Sequence, residues 1–185
     1  MEFKKGAITV IDDIFTTQDC SDILDYYDNN RHDLVHRTDH RNKKFLSIVD
    51  PKTNLPRDGI AKNIAIKLLT WMDFRYRIEW GHIEEREPGS HLPYHYDLHS
   101  NSTVFTSVTY LNDDYDGGYT IIRPHGEESD KYNIRVIPKA GRTVFFHGAY
   151  NYHCVTEVEK SNRYVIPMWY MFMPLDLPEK LKWWI

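Results

Sequence analysis

Three side chains in this sequence have the types and spacing of a metal site. His95 and Asp97 stand two residues apart in Pro93-Tyr94-His95-Tyr96-Asp97, and His153 follows His95 by 58 residues. Along a β-strand, positions i and i+2 point to one face, so His95 and Asp97 can aim into one cavity while Tyr94 and Tyr96 face away. Two imidazoles and one carboxylate leave three positions open on an octahedral ion, the ligand set of non-haem Fe(II) sites. Arg163, ten residues after His153, adds a fixed cation. Its fork suits the far carboxylate of an anionic co-substrate chelated to the metal. A lone His-x-Asp is otherwise an ordinary surface pair on an edge strand. Its weight here comes from His153 and Arg163 on later strands.

Those side chains need strands to carry them, and the hydrophobic period supplies them. From residue 74 the period is 2, which predicts strands at 74–84, 92–97, 103–111, 119–123, 134–137, 143–147, 152–157 and 164–171. Turn residues separate them, among them Glu87-Pro88-Gly89-Ser90 and the Gly117-Gly118 pair. Many short strands between turns predict a sandwich or jelly roll. The N-terminal part reads differently. A short strand and turn at 7–15 precede a helix over 18–30, with Thr17 as its N-cap and Ile23, Leu24, Tyr26 and Tyr27 as its apolar stripe. Residues 31–56 read as a loop with one strand at 45–49. A second helix is expected over 57–72, where Ile60, Ile64, Leu68 and Trp71 keep helical spacing. The tail at 179–185 is expected to be helical and to dock Trp183 and Trp184 on the body.

Composition narrows the class. At 185 residues the chain is long enough for one domain with a sizeable core, and 41% hydrophobic with 27% charged residues excludes general disorder. No apolar run approaches the roughly 18 residues that cross a bilayer, so no membrane partner is expected. The N-terminus lacks the pattern of a signal peptide, and two cysteines do not make a disulfide framework. A reducing, cytoplasmic setting is therefore expected. A net charge of −4 gives no global attraction to nucleic acid. Arg37, Arg41, Lys43 and Lys44 read as a solvated face, with an anionic partner as the less favoured alternative. Of the remaining histidines, His82, His91, His125 and His147 read as structural or solvated, and His99 lies close enough to the His-x-Asp to touch a substrate.

Taken in order, His95-x-Asp97, His153 and Arg163 resemble the 2-oxoglutarate/Fe(II)-dependent dioxygenase superfamily. Within it the chain is most similar to the prolyl 4-hydroxylase group, the oxygen-sensing and collagen-type enzymes. The resemblance spans roughly residues 80–172, through EPGSHLPYHYD, VTYLNDDYDGGYTII, VIPKAGRTVFFHG and HCVTEVEKSNRYVIPMWY. It implies a mainly β fold with flanking helices: a double-stranded β-helix, or cupin-like jelly roll, with N-terminal helices packed on one sheet. It implies one domain over 1–185, with 1–73 as helical support, 74–172 as the β-helix core and 173–185 as a tail. Fe(II) is then held by His95, Asp97 and His153. Arg163 binds the distal carboxylate of 2-oxoglutarate with help from Tyr110, O2 is the second co-substrate and ascorbate serves as reductant. Trp169 matches an aromatic position near the iron, although a core role fits it equally well. Two positions depart from the pattern. Arg86 stands where relatives often have Tyr, in a place that faces the active site, and Pro167 replaces a small polar residue.

The expected function is hydroxylation of a C–H bond, with succinate and CO2 released, on a prolyl residue of a peptide or protein. One alternative is the same chemistry on a free amino acid or other small molecule. Another, of a different class, is a non-catalytic jelly-roll binding module. The combined iron and oxoglutarate anchors argue against the last, since such a module needs neither.

Overall fold

The computed structural model describes residues 6–38, 42–72, 75–97 and 103–172. The chain opens with β1 (Ile8–Ile11), α1 (Thr17–Asn29), β2 (Val35–Arg37), β3 (Lys43–Ser47) and α2 (Gly59–Leu69). The long strand β4 (Tyr76–Arg86) follows, then β5 (Leu92–His95), β6 (Thr103–Tyr110), β7 (Asp116–Gly117) and β8 (Thr120–Ile122). The last strands are β9 (Ile134–Val136), β10 (Thr143–Phe146), β11 (His153–Val155), β12 (Val158–Glu159) and β13 (Arg163–Phe172). Among the described residues they form two main antiparallel sheets. One has seven strands in the order β1-β10-β6-β13-β4-β3-β2, and the other has four in the order β5-β11-β8-β9. A small third sheet pairs β12 with β7. This is the expected jelly roll.

The larger sheet is buried on both faces. On its outer face Ile83, Phe105, Phe145, Ile166, Met168 and Tyr170 pack against α1 and α2. On its inner face Val108, Tyr110, Val144, Phe146 and Val165 meet Ile122 and Val136 of the smaller sheet. Each strand thus alternates between a helix-facing and a cavity-facing set, as the pleat requires. The helices therefore pack on one sheet, as expected, and leave the inner face for the site.

Local chemistry explains the helix boundaries. The N-cap of α1 is Thr16, not Thr17. Thr16 Oγ1 accepts from the Asp19 N–H at 3.1 Å, and Asp19 Oδ2 accepts from the Thr16 N–H at 2.7 Å. This capping box needs an acidic or amide side chain three residues after the cap. Thr16 has Asp19 there, whereas Thr17 has Cys20. α2 is capped by Asp58, whose carboxylate accepts from the Ala61 N–H at 2.9 Å. Its buried face is Ala61, Ile64, Ala65 and Leu68. Ile60 is only partly buried, and Trp71 lies past the helix end at 39% exposure, so the expected stripe is shifted. β2 falls within the expected loop. All three of its residues are exposed, so it carries no alternating hydrophobic signal. The sequence-based placing of β4 starts and ends two residues too early. The expected helical tail and the Trp183–Trp184 contact lie outside the described residues.

Replacing Ile64, 1% exposed, with Ala is expected to lower the unfolding free energy by roughly 2–5 kcal/mol, against less than about 0.5 kcal/mol for Trp71→Ala. Thr16→Ala is expected to cost about 1 kcal/mol through loss of the cap. Denaturant unfolding of the three variants checks both.

Candidate metal centre and its cavity

The centre is built where the two sheets face each other. β5 and β11 are antiparallel neighbours, and their register sets His153 directly opposite His95. Their rings lie with centroids 4.2 Å apart. Asp97 comes just after β5, where its N–H donates to the Gly148 carbonyl at 2.9 Å. Its carboxylate then sits between the rings, with His95 Nε2 3.4 Å from Oδ1 and His153 Nε2 3.3 Å from Oδ2. One ligand atom from each of the three side chains falls within 4.8 Å of the others. As expected, the flanking tyrosines turn away. Tyr94 and Tyr96 pack on Tyr152, and the Tyr94 hydroxyl accepts from Asn133 Nδ2 at 2.8 Å.

The other ring nitrogens decide the chemistry. His95 Nδ1 lies 2.9 Å from the Pro93 carbonyl, and His153 Nδ1 lies 2.8 Å from the Asn151 carbonyl. A carbonyl only accepts, so each Nδ1 carries the proton and donates. In the neutral imidazole that leaves the Nε2 lone pair for a metal. Asp97 is 5% exposed. Burial alone would raise its pKa, but the adjoining His153 and His95 rings, where protonated at Nε2, hold the carboxyl well below the usual carboxylate range. Thr106 Oγ1 donates to Asp97 Oδ2 at 2.7 Å and fixes the carboxylate plane. Gly148 lets the carboxylate fit. A Cβ there would lie 2.2 Å from Thr106 Oγ1 and 2.7 Å from Asp97 Oδ2. The donor set and its protonation thus fit a ferrous ion.

A cavity of about 70 Å³ extends from this centre. Leu92, Val108, Val155, Val165 and Pro167 give it apolar walls. Arg163 projects into it from the start of β13 and is 1% exposed. Arg163 Nη2 donates to Thr120 Oγ1 at 3.3 Å, while its buried Nε has no partner among the described residues. Thr120 Oγ1 also accepts from the Tyr110 hydroxyl at 2.7 Å. Both lone pairs of Thr120 are then used, and its own O–H is left to donate. A buried guanidinium with an open donor, next to a free hydroxyl proton, fits the distal carboxylate of 2-oxoglutarate. Tyr110 itself is fully buried and lies behind Thr120, so Thr120 rather than Tyr110 is the hydroxyl at the cavity surface.

Arg86 and Trp169 both line the cavity, and Trp169 stacks on Trp80 with centroids 5.0 Å apart. His99 lies outside the described residues. Four polar cavity residues escaped the sequence reading: Lys43, Glu84, Thr106 and Thr120. Glu84 is 4% exposed. It accepts from Arg86 Nε at 2.6 Å through Oε1, and from Lys43 Nζ at 2.5 Å and His82 Nε2 at 3.3 Å through Oε2. Burial would raise its pKa, yet the Arg86 and Lys43 cations hold it well below the ordinary value. His82 is pushed down to about 4 by burial and stays neutral near pH 7. Lys43 is therefore no part of a solvated face, since its side chain is only 12% exposed. The i, i+2 alternation of Trp80, His82, Glu84 and Arg86 was a usable signal for Glu84. Lys43 reaches the wall through cross-strand pairing, which leaves no local pattern.

Residues 81–171 match the family model described as the 2OG-Fe(II) oxygenase superfamily. No curated protein sequence is similar enough to count as a relative. Solved structures resemble the chain in fold. A prolyl-4-hydroxylase from Pseudomonas putida is 15% identical, with 90% of this chain and 93% of that one covered at a TM-score of 0.69. A prolyl hydroxylase from Trichoplax adhaerens, in complex with a hypoxia inducible factor peptide fragment, is 17% identical, with 90% and 84% covered at 0.70. HygX from Streptomyces hygroscopicus, with nickel and 2-oxoglutarate bound, is 14% identical, with 93% and 84% covered at 0.67. The jelly roll, the ligand cluster and the match agree: residues 81–171 form a 2OG-Fe(II) oxygenase domain, that of an iron- and 2-oxoglutarate-dependent dioxygenase.

Proposed function

We propose that this dioxygenase hydroxylates a C–H bond of a prolyl residue, with His95, Asp97 and His153 as the iron ligands and Arg163 as the anchor of 2-oxoglutarate. The observation that carries the site assignment is the pair of Nδ1–H donations to backbone carbonyls, which turn both Nε2 lone pairs toward Asp97. The prolyl preference is supported by likeness to the prolyl hydroxylases of P. putida and T. adhaerens. In this reading the chain is one domain over 1–185, with the segment up to residue 73 buttressing the β-helix.

Bound Fe(II) supplies the dioxygen chemistry, in which 2-oxoglutarate is decarboxylated to succinate and CO2 as the substrate is hydroxylated. The protein holds and orients the parts. Thr106 keeps Asp97 aimed, and the two backbone carbonyls keep the imidazoles in the ligating tautomer. Arg163 and the Thr120 O–H hold the distal carboxylate, and Tyr110 holds Thr120 in turn. The apolar wall of Leu92, Val108, Val155 and Val165 excludes water, which strengthens each of these charged contacts.

Replacing His153 with Ala is expected to abolish Mn(II) binding and Fe(II)-dependent succinate formation. Retained turnover would refute the ligand assignment. Thr106→Val is expected to weaken metal binding by roughly 10–100-fold, measured by calorimetry with Mn(II). For Arg163→Gln the expected change is a rise in the KM for 2-oxoglutarate of about tenfold or more, with Mn(II) affinity retained. An unchanged KM would remove Arg163 from the co-substrate site.

A further inference from the structure

Arg163 is the first residue of β13, and strand ends are where a sheet opens first. On one side β4 holds it, with Arg86 opposite Arg163. On the other side β6 has already ended, because its last residue, Tyr110, stands against Val165. One further main-chain bond, from the Leu111 N–H to the Tyr164 carbonyl at 3.0 Å, closes that ladder. The side chain of Asn112 then takes over. Its Nδ2 donates to the Asn162 carbonyl at 2.8 Å, and its Oδ1 accepts from the Tyr164 N–H at 2.8 Å. These are the main-chain groups directly before and after Arg163. A carboxamide offers the same donor and acceptor as a peptide, so Asn112 extends the ladder by one step and brackets the Arg163 backbone. Its second Nδ2 proton goes to Asp114 Oδ1 at 2.7 Å, which fixes the orientation of the amide.

The side chain of Arg163 is fitted as closely as its backbone. Gly118, at φ +56°, lies against its stem. A Cβ on Gly118 would stand 2.9 Å from Arg163 Cδ, 3.0 Å from Tyr115 Cε2 and 3.3 Å from Val158 Cγ2. The arginine thus passes through a slot whose floor is bare backbone. The Gly118 N–H donates to the Glu157 carbonyl at 2.7 Å and holds that floor in place. Beyond the slot, Arg163 Cζ lies 5.5 Å from the centre of the Tyr110 ring, and Nη2 reaches Thr120. The Gly117-Gly118 pair is therefore more than a turn. Asn112 and Gly118 do not line the cavity, so they act on a ligand only through Arg163. A fork that binds two carboxylate oxygens must be placed to within about 0.5 Å.

We propose that Asn112 and Gly118 are positioning residues for the co-substrate anchor, and that they set the affinity for the distal carboxylate of 2-oxoglutarate by fixing where the Arg163 fork lies. The inference rests on the oxygenase reading above. Neither residue belongs to the ligand cluster, so metal binding is independent of both. A purely architectural role would weaken everything that the β-helix binds. A positioning role weakens only what needs the fork.

The test titrates Mn(II)-loaded protein by calorimetry with 2-oxoglutarate and with 2-oxopentanoate, which carries a methyl group in place of the distal carboxylate. Wild type is expected to bind 2-oxoglutarate about tenfold or more tighter than 2-oxopentanoate. In Asn112→Ala and in Gly118→Ala that preference is expected to shrink by about fivefold or more, with the affinities for 2-oxopentanoate and Mn(II) unchanged. On an Arg163→Gln background the same substitutions are expected to change nothing further, because the group they place is gone. Thermal unfolding shows that each variant is folded before it is titrated. Asn112→Ala removes hydrogen bonds without adding atoms, so it carries the test if Gly118→Ala does not fold. An unchanged preference, equal weakening of both probes, or a further loss on the Arg163→Gln background would overturn the inference. If the wild type shows no preference, or Arg163→Gln retains it, the anchor assignment itself fails. Failure of the Mn(II)-loaded wild type to bind 2-oxoglutarate at all would instead sink the oxygenase reading, and this inference with it.

Discussion

The pairing of β5 with β11 is the constraint on which the rest of the structure depends. It brings two histidines 58 residues apart in the chain into direct opposition across a sheet. On both strands the same local device then acts, because each ring donates from Nδ1 to the carbonyl two residues before it. A cross-strand neighbour sets the distance, and a backbone acceptor sets the tautomer. Asp97 completes the group by leaving the strand at the right place, with its N–H on Gly148 and its carboxylate on Thr106. The larger sheet, buttressed by two helices, keeps Thr106 and Arg163 in fixed relation to that pair.

How much of this could be read in advance follows from the range of each interaction. The His-x-Asp pair was legible as a motif, but the expected strand over 92–97 ends at His95, and Asp97 is placed by its N–H on Gly148 rather than by the strand period. His153 and Arg163 were legible because their order and intervals resemble a known pattern. Helix α1 was legible, but its cap was misplaced by one residue, since the reading weighed the threonine and overlooked its acidic partner Asp19. The edge strand β2 was invisible because nothing on it is buried. Lys43, Thr106 and Thr120 were missed for a common reason. Each reaches the cavity through the register of strands far apart in sequence, and a single chain does not display register. Lys43 was read as solvated because its neighbours are basic, yet across the sheet it meets Glu84.

The cavity is polar at its ends and apolar between them. At one end the ionised groups are matched locally, with carboxylate against imidazoles. At the other, cations outnumber carboxylates among the described residues. Between them valines, Leu92 and Pro167 keep the local dielectric low, so each charge acts strongly on whatever enters. Such a gradient orients an anionic guest before any directional contact forms. The fold tolerates the arrangement because the cations are spread across three hydrogen-bonded strands that cannot move apart independently.

The place of Lys43 in the sheet has a consequence for how this protein could diverge. β3 lies beyond β4 toward the sheet's margin, with only β2 outside it. It also lies upstream of the segment that carries the family match, which begins at residue 81. The metal-binding cluster and one part of the cavity wall are thereby housed in separable pieces of chain. A marginal hairpin can drift, or be traded for another, while the strands that grip the metal stay under their own selection. A new cavity wall could arise by re-edging an old barrel rather than by rebuilding its centre.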